Sequence, residues 1–283
     1  MIKRILVPMM GSELADETFE CAFNLAGLNK AMIDLLFAID ISRSTPRIPM
    51  AGLLATSGRL VENLSKGREE REREEKEKAQ LVIQGYETRC RRARIKVSST
   101  VAPGYPGEEI LRRQRVADLV CMENPGVRVK RKYLRRANLM LARITRHAAR
   151  PIIFISSVFR PFEKVLVAYD GSLEATKAIK VVTEIGGTKP KFHVTLLTLS
   201  DDEESGQRIL AEGEEYLSPY GLRVTPRIET GRQGKNILRI AREIDAQLIV
   251  MGAFGANRIK DLIFGSTTEY LLSESEIPLL VCH

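Results

Sequence analysis

The chain repeats itself, and the repeat limits the fold more than any other feature. Lys3-Arg4-Ile5-Leu6-Val7-Pro8-Met9-Met10-Gly11-Ser12 matches Glu163-Lys164-Val165-Leu166-Val167-Ala168-Tyr169-Asp170-Gly171-Ser172. Val116 to Met122 matches Asp245 to Met251, and Pro151 to Ile155 matches Pro278 to Cys282. The period, roughly 130 to 160 residues, is too long for a solenoid and implies two similar domains. Pro161 and the polar stretch after Ile155 put the boundary near residue 158, giving copies 1–158 and 159–283. The short connection requires the copies to pack together.

Each copy alternates β-rich runs with helical patterns, the signature of an α/β fold with a parallel sheet and helices on both faces. In the second copy strands are expected over 164–169, 191–199, 222–229, 247–251 and 278–282. Helices are expected over 172–185, 203–218, 233–244 and 266–275.

A glycine pattern follows the fourth of these strands. Met251-Gly252-Ala253-Phe254-Gly255 is followed by nine residues and then Gly265-Ser266-Thr267. Glycines between a strand end and a helix start let backbone N–H groups approach phosphate oxygens. Ser266 and Thr267 add hydroxyls at the helix N-terminus, where the dipole favours an anion. The physical reading is a phosphate cradle. It is not the G-x-G-x-x-G dinucleotide fingerprint. Gly231-Arg232-Gln233-Gly234-Lys235-Asn236 fails as a P-loop, because Glu229 stands at the first glycine position and no Ser or Thr follows the lysine. Asp170, at the end of the first strand of this copy, lies at the sheet edge where open α/β folds bind ligands.

The pattern Gly-x-x-Gly, nine residues, then Gly with Ser or Thr resembles that of the ATP-binding members of the universal stress protein family. The resemblance covers nearly the whole chain outside a charged insertion. It implies two tandem open five-stranded parallel sheets of the adenine-nucleotide α-hydrolase-like kind, paired through their last strands into an internal pseudodimer. It also implies roles: Asp170 on the nucleoside, a backbone contact from Leu199 to adenine, and Ala168 lining the base pocket. Met251, Gly252 and Ala253 then face the ribose and nearby phosphate, and Gly255, Gly265, Ser266 and Thr267 hold the phosphates. Mg²⁺ would arrive with the nucleotide. Ser172 is read as a helix cap, and Arg258 as a phosphate contact or a solvated arginine.

The first copy departs from the pattern. Met10 stands at the Asp170 position, Glu123 replaces Gly252 with a carboxylate that repels phosphate, and no glycine occurs from 127 to 150. It is not expected to bind ATP in the same way. It holds 29 Lys+Arg against 18 Asp+Glu, a net of +11, whereas the second copy holds 15 against 18, a net of −3. The cluster Arg128-Val129-Lys130-Arg131-Lys132-Tyr133-Leu134-Arg135-Arg136 is either a solvated, paired patch or a site for an anionic partner. Residues 50–94 form an insertion carrying Arg68 to Lys78, whose opposite charges three and four apart favour an exposed helix. The segment before it, 41–58, reads as a loop.

No apolar run reaches bilayer length, and the N-terminus reads as a strand, so the expected compartment is the cytoplasm. Cys121 and Cys282 sit inside apolar runs as small buried hydrophobes, and the scattered histidines argue against a metal site. No general base accompanies the cradle. The leading functional reading is a nucleotide-binding regulatory protein of the stress response with the ligand in the second copy, self-associating and acting on a protein partner. A slow ATP hydrolase and an anion-binding interaction module are the alternatives.

Overall fold

The computed structural model describes residues 1–10, 12–39, 58–124, 140–141, 143–186, 192–253 and 265–283. Elements of the first copy are β1 (Arg4–Met9), α1 (Ala15–Asn29), β2 (Met32–Ile39), α2 (Gly58–Arg92), β3 (Val97–Pro103), α3 (Pro106–Arg113), β4 (Leu119–Glu123) and β5 (Ile152–Ile155). Residues 143–147 add a helical stretch before β5. The second copy comprises β6 (Lys164–Ala168), α4 (Leu173–Gly186), β7 (His193–Leu199), α5 (Glu203–Leu217), β8 (Arg223–Glu229), α6 (Gln233–Glu243), β9 (Leu248–Gly252), α7 (Ser266–Glu274) and β10 (Leu279–Cys282).

The two five-stranded sheets are halves of one ten-stranded sheet, ordered β3-β2-β1-β4-β5-β10-β9-β6-β7-β8. Every pairing is parallel except the central one. There β5 and β10 run antiparallel, with Ile153 opposite Leu280. These two residues are equivalents in the repeat, so the pseudo-twofold axis passes between them.

Alternation along each strand sorts side chains into two core layers. Val165, Val167, Leu248, Val250 and Leu280 join Phe19, Ile83, Ile179 and Val182 on one face, beneath α1, α2, α4 and α5. Leu166, Ile249, Met251 and Val281 join Ile110, Ile144, Ile237 and Leu271 on the other, beneath α3, 143–147, α6 and α7. Both layers run through both copies. Across the seam, Asn124 Nδ2 donates to the Leu272 carbonyl at 2.9 Å and Ser157 Oγ to the Glu276 carbonyl at 2.6 Å.

The charged insertion is not an exposed helix along its whole length. Its helix extends to Arg92, and its second half is the ordinary β2–β3 crossover. Ala79, Ile83, Tyr86 and Cys90 recur at helical spacing and are buried. Tyr86 stacks at 4.4 Å on Phe19 and donates to Asp16 at 2.6 Å. Residues 73–78 are exposed, and Arg73 pairs with Glu77 at 3.0 Å, the expected four-residue spacing. The loop over 41–57 lies outside the described residues. All four cysteines are buried.

Candidate functional site

Within the second copy the strand order reverses between β6, which leads outward to β7, and β9, which leads inward to β10. Crevices at such reversals, at the C-terminal strand ends, are where open α/β sheets take ligands. Ala168 ends β6 and is in register with Met251 of β9. Leu199 ends β7, half-buried. The chain then turns through Tyr169, whose N–H donates to Leu197 O at 2.8 Å, and Gly171 at φ +73°. Only glycine holds that left-handed conformation without strain. Asp170 is exposed beside this turn, and its carboxylate accepts the Ser172 N–H at 3.0 Å. Ser172 Oγ in turn accepts the Ala175 N–H at 3.2 Å, the cap that starts α4.

Met251 and Ala253 are buried at the end of β9. Gly252 is buried too, and it has no positive φ. A Cβ there would stand 2.6 Å from the Ala175 nitrogen and 2.7 Å from the Glu174 carbonyl carbon. Glycine at 252 thus lets the strand end meet the N-terminus of α4, a reason internal to the chain.

Gly265 precedes α7 in extended conformation and no side chain caps the helix. Among the described residues no acceptor is found for the first N–H groups of this helix, the groups that a helix cannot satisfy internally. Ser266 is exposed and Thr267 partly so. Thr267 Oγ1 is 2.9 Å from Gln233 Oε1 at the start of α6. The N-termini of α6 and α7 therefore lie side by side, a closeness that Gly234 permits, since a Cβ there would stand 2.7 Å from the Tyr270 ring. Gly255 and Arg258 lie outside the described residues.

Folding also gathers groups that sequence reading did not associate with the site. Lys177 of α4 donates to the His283 carbonyl at 2.7 Å. Burial, reinforced by the Lys177 charge and opposed by Glu174, pushes the His283 imidazole down to about 4. It is neutral at physiological pH. These residues lie behind Gly252, because Gly252 pairs with Cys282 and touches Glu174. Only the β9–β10 register brings them together.

The equivalent edge of the first copy is built differently. Glu123, only 2% exposed, accepts the Met10 N–H at 3.3 Å. Burial raises its pKa, and hydrogen bonds from Ser12 and Met10 hold it back. A side chain of the protein thus satisfies the loop after β1. The Arg128–Arg136 cluster is outside the described residues.

No helix among the described residues is long and apolar enough to cross a membrane. A Pseudo-repeat of this design has known relatives. A universal stress protein of Synechocystis, Slr1230, is 24% identical over 99% of both chains. The stress response protein NhaX of Bacillus subtilis is 34% identical over 79 residues, 28% of this chain and 48% of its own. The crystal structure of a universal stress protein from Archaeoglobus fulgidus superposes with a TM-score of 0.73 at 23% identity, covering 99% of this chain and 95% of the other. The model of the universal stress protein family matches residues 1–152 and again 161–283, so the chain belongs to that family, with two copies of its domain in tandem.

Proposed function

We propose that the second copy binds ATP or a related adenine nucleotide, and that occupancy alters the surface the tandem pair presents to a protein partner. One observation carries this reading. An exposed carboxylate, Asp170, follows β6, and α7, which begins at Ser266 after Gly265, follows β9 in the chain; β6 and β9 are the two strands that flank the reversal. A nucleotide needs a polar partner for the nucleoside and N–H donors for its phosphates. Asp170 and the Leu199 backbone serve the first need, with Ala168 against the base. Met251, Gly252, Ala253 and Gly255 border the ribose and nearest phosphate. Gly265, Ser266 and Thr267 serve the rest. Mg²⁺ would be held by phosphate oxygens and water rather than by carboxylates of the chain.

In the first copy, Glu123 stands at the Gly252 position and accepts the N–H of Met10, which stands at the Asp170 position, so one nucleotide per chain is expected. Small molecules released from protein purified without added nucleotide, identified by mass spectrometry and counted per chain, test this. One adenine nucleotide per chain, with affinity lost in Asp170→Ala and Gly265→Val, supports the reading. Unchanged ATP affinity in both variants refutes the site. Multiple turnover abolished by Gly265→Val would make the protein a hydrolase instead.

A further inference from the structure

Every strand of the first copy is entered past a cation. In the sheet order β3-β2-β1-β4-β5 these are Lys96, Lys30, Lys3, Arg115 and Arg150. Register sets them along one edge. The Lys3 carbonyl accepts the Met32 N–H at 2.8 Å, the Lys96 carbonyl the Ile33 N–H at 2.9 Å and the Arg4 carbonyl the Asp118 N–H at 2.9 Å. Arg150 precedes Pro151, whose carbonyl accepts the Val120 N–H at 3.0 Å. Arg94, in the turn between α2 and β3, adds a further charge. Arg150 is half-buried, and its Nη2 donates to the Arg115 carbonyl at 3.5 Å. The other five are exposed. None of them makes an ion pair among the described residues. Asp118, the carboxylate set in this row, accepts the backbone N–H groups of Lys3 and Arg4 at 2.8 and 2.9 Å.

Cations at helix C-termini complement the helix dipole, and α1, α2 and α3 all end at this edge. The second copy shows that the fold does not demand them. Its α4, α5 and α6 end at the equivalent edge. There the repeat and the strand register place Glu163 at the Lys3 position, Lys191 at Lys30, Gly221 at Arg94, Arg223 at Lys96, Ile244 at Arg115 and Ile277 at Arg150. Arg94 is held at φ +58° and Lys30 at φ +52°, and Gly221 has φ +64°. A side chain in that conformation costs about 1–2 kcal/mol, so Arg94 stands at a turn that glycine serves better.

We infer that this edge binds the phosphate backbone of a nucleic-acid duplex without regard to sequence. A polyanion, unlike a pocket ligand, is held by exposed charges, because the counterions it releases supply the free energy. Strands lie about 4.8 Å apart, so the five starts span about 19 Å. One strand of a duplex presents about five or six phosphates over that length, at about 3.4 Å each. Sheet twist, roughly 20–25° per strand, turns the row through about 80–100°. The cations therefore follow a curved line, which suits a helical backbone and not the plane of a bilayer. The row holds no aromatic side chain on which an unpaired base could stack, which favours a duplex over a single strand. The surface is independent of the nucleotide proposed for the second copy.

Fluorescence anisotropy of a labelled DNA duplex titrated with the full-length chain tests the inference. Saturable binding is expected at about 50 mM salt, equal for two unrelated sequences and falling linearly on a log–log plot as salt rises. Lys30→Gln, Arg94→Gly, Lys96→Gln and Arg115→Gln together should reduce that slope by about 3–4 and the affinity at about 0.1 M salt by more than about tenfold. Lys76→Gln, Lys78→Gln, Lys180→Gln and Arg208→Gln remove the same charge from exposed positions elsewhere and should change the slope by less than about 1. All the replaced side chains are exposed and glycine suits the Arg94 turn, so the edge variant keeps the fold, which circular dichroism checks. No duplex binding, an unchanged slope in the edge variant, or an equal loss in the control would each overturn the inference. Capture by phosphatidylserine-containing vesicles that excess duplex fails to displace, and that the edge variant loses, would assign the edge to a membrane and overturn it as well.

Discussion

Replacing Gly252 by Ala should destabilise the protein by about 3 kcal/mol, although the change adds a single methyl group. The new Cβ would stand 2.6 Å from the Ala175 nitrogen, 2.7 Å from the Glu174 carbonyl carbon and 2.8 Å from Glu174 Cβ. Favourable contacts lie near 3.5 Å or beyond, so β9 and the start of α4 must separate by close to 1 Å. Two of the three atoms struck are backbone, and no rotamer change relieves them. Overpacking a core costs about 1–3 kcal/mol. Displacing α4 also strains the Ser172 cap at Ala175, a contact worth about 1 kcal/mol. Gly27 in α1 and Gly85 in α2 supply the control, since a Cβ at either meets nothing within 4 Å. There the same substitution should stabilise by about 0.5–1 kcal/mol through helix propensity. Urea unfolding followed by far-ultraviolet circular dichroism gives all three values. A Gly252→Ala protein within about 0.5 kcal/mol of wild type would show that α4 is not seated on the end of β9.

Three further outcomes follow from buried groups. Glu123→Gln should stabilise the protein at neutral pH by up to about 1 kcal/mol. Burial raises the folded-state pKa of Glu123, so its contribution is fully present below the unfolded carboxylate range, near 4.3, and is lost as pH rises through the folded value. The variant's advantage should therefore grow with pH and vanish in acid, as melting temperatures between pH 4 and 8 would reveal. Arg113→Ala should cost about 3–5 kcal/mol, because it strands Asp34, 1% exposed and held by Arg113 at 2.8 and 3.0 Å; chemical denaturation measures the loss. Leu280→Glu would bury a charge opposite Ile153 at the seam, where both residues are fully buried, and should unfold the pair by more than about 4 kcal/mol, visible as a collapse of the thermal transition.

The sequence was most legible where one physical signal dominated. The apolar run at 247–251 becomes β9 at Leu248–Gly252, and the amphipathic run at 233–244 becomes α6 at Gln233–Glu243. The repeat marked the two copies, but the seam between their last strands was implied by the family resemblance, and β5 and β10 do pair antiparallel there. Where two signals overlapped, the stronger hid the weaker. The charge block from Arg68 to Lys78 obscured the buried series Ala79, Ile83, Tyr86 and Cys90, which by spacing alone marks a core-facing helix. The segment around Gln233 was set aside for failing a phosphate-loop pattern, yet it brings Gln233 to within hydrogen-bonding distance of Thr267. That contact depends on α6 and α7 packing side by side, which no local pattern encodes. The cluster of Glu174, Lys177 and His283 joins residues more than a hundred positions apart, and only strand register unites it.

The asymmetry between the copies has a mechanical basis. Residues 279–282 of β10 are buried on all sides, and β5 supplies the hydrogen bonds along one of their edges. Without the first copy, that apolar edge would stand open, a template for wrong pairing. The first copy is therefore indispensable for its β5 strand and the core beneath it, whatever its strand ends bind. Its upper edge carries Glu123 where the second copy has Gly252, and that carboxylate accepts the Met10 N–H. Its lower edge carries Lys3, Arg115 and Arg150 where the second copy holds Glu163, Ile244 and Ile277. One sheet thus carries two chemically different edges, joined through a seam that transmits packing from one copy's core to the other.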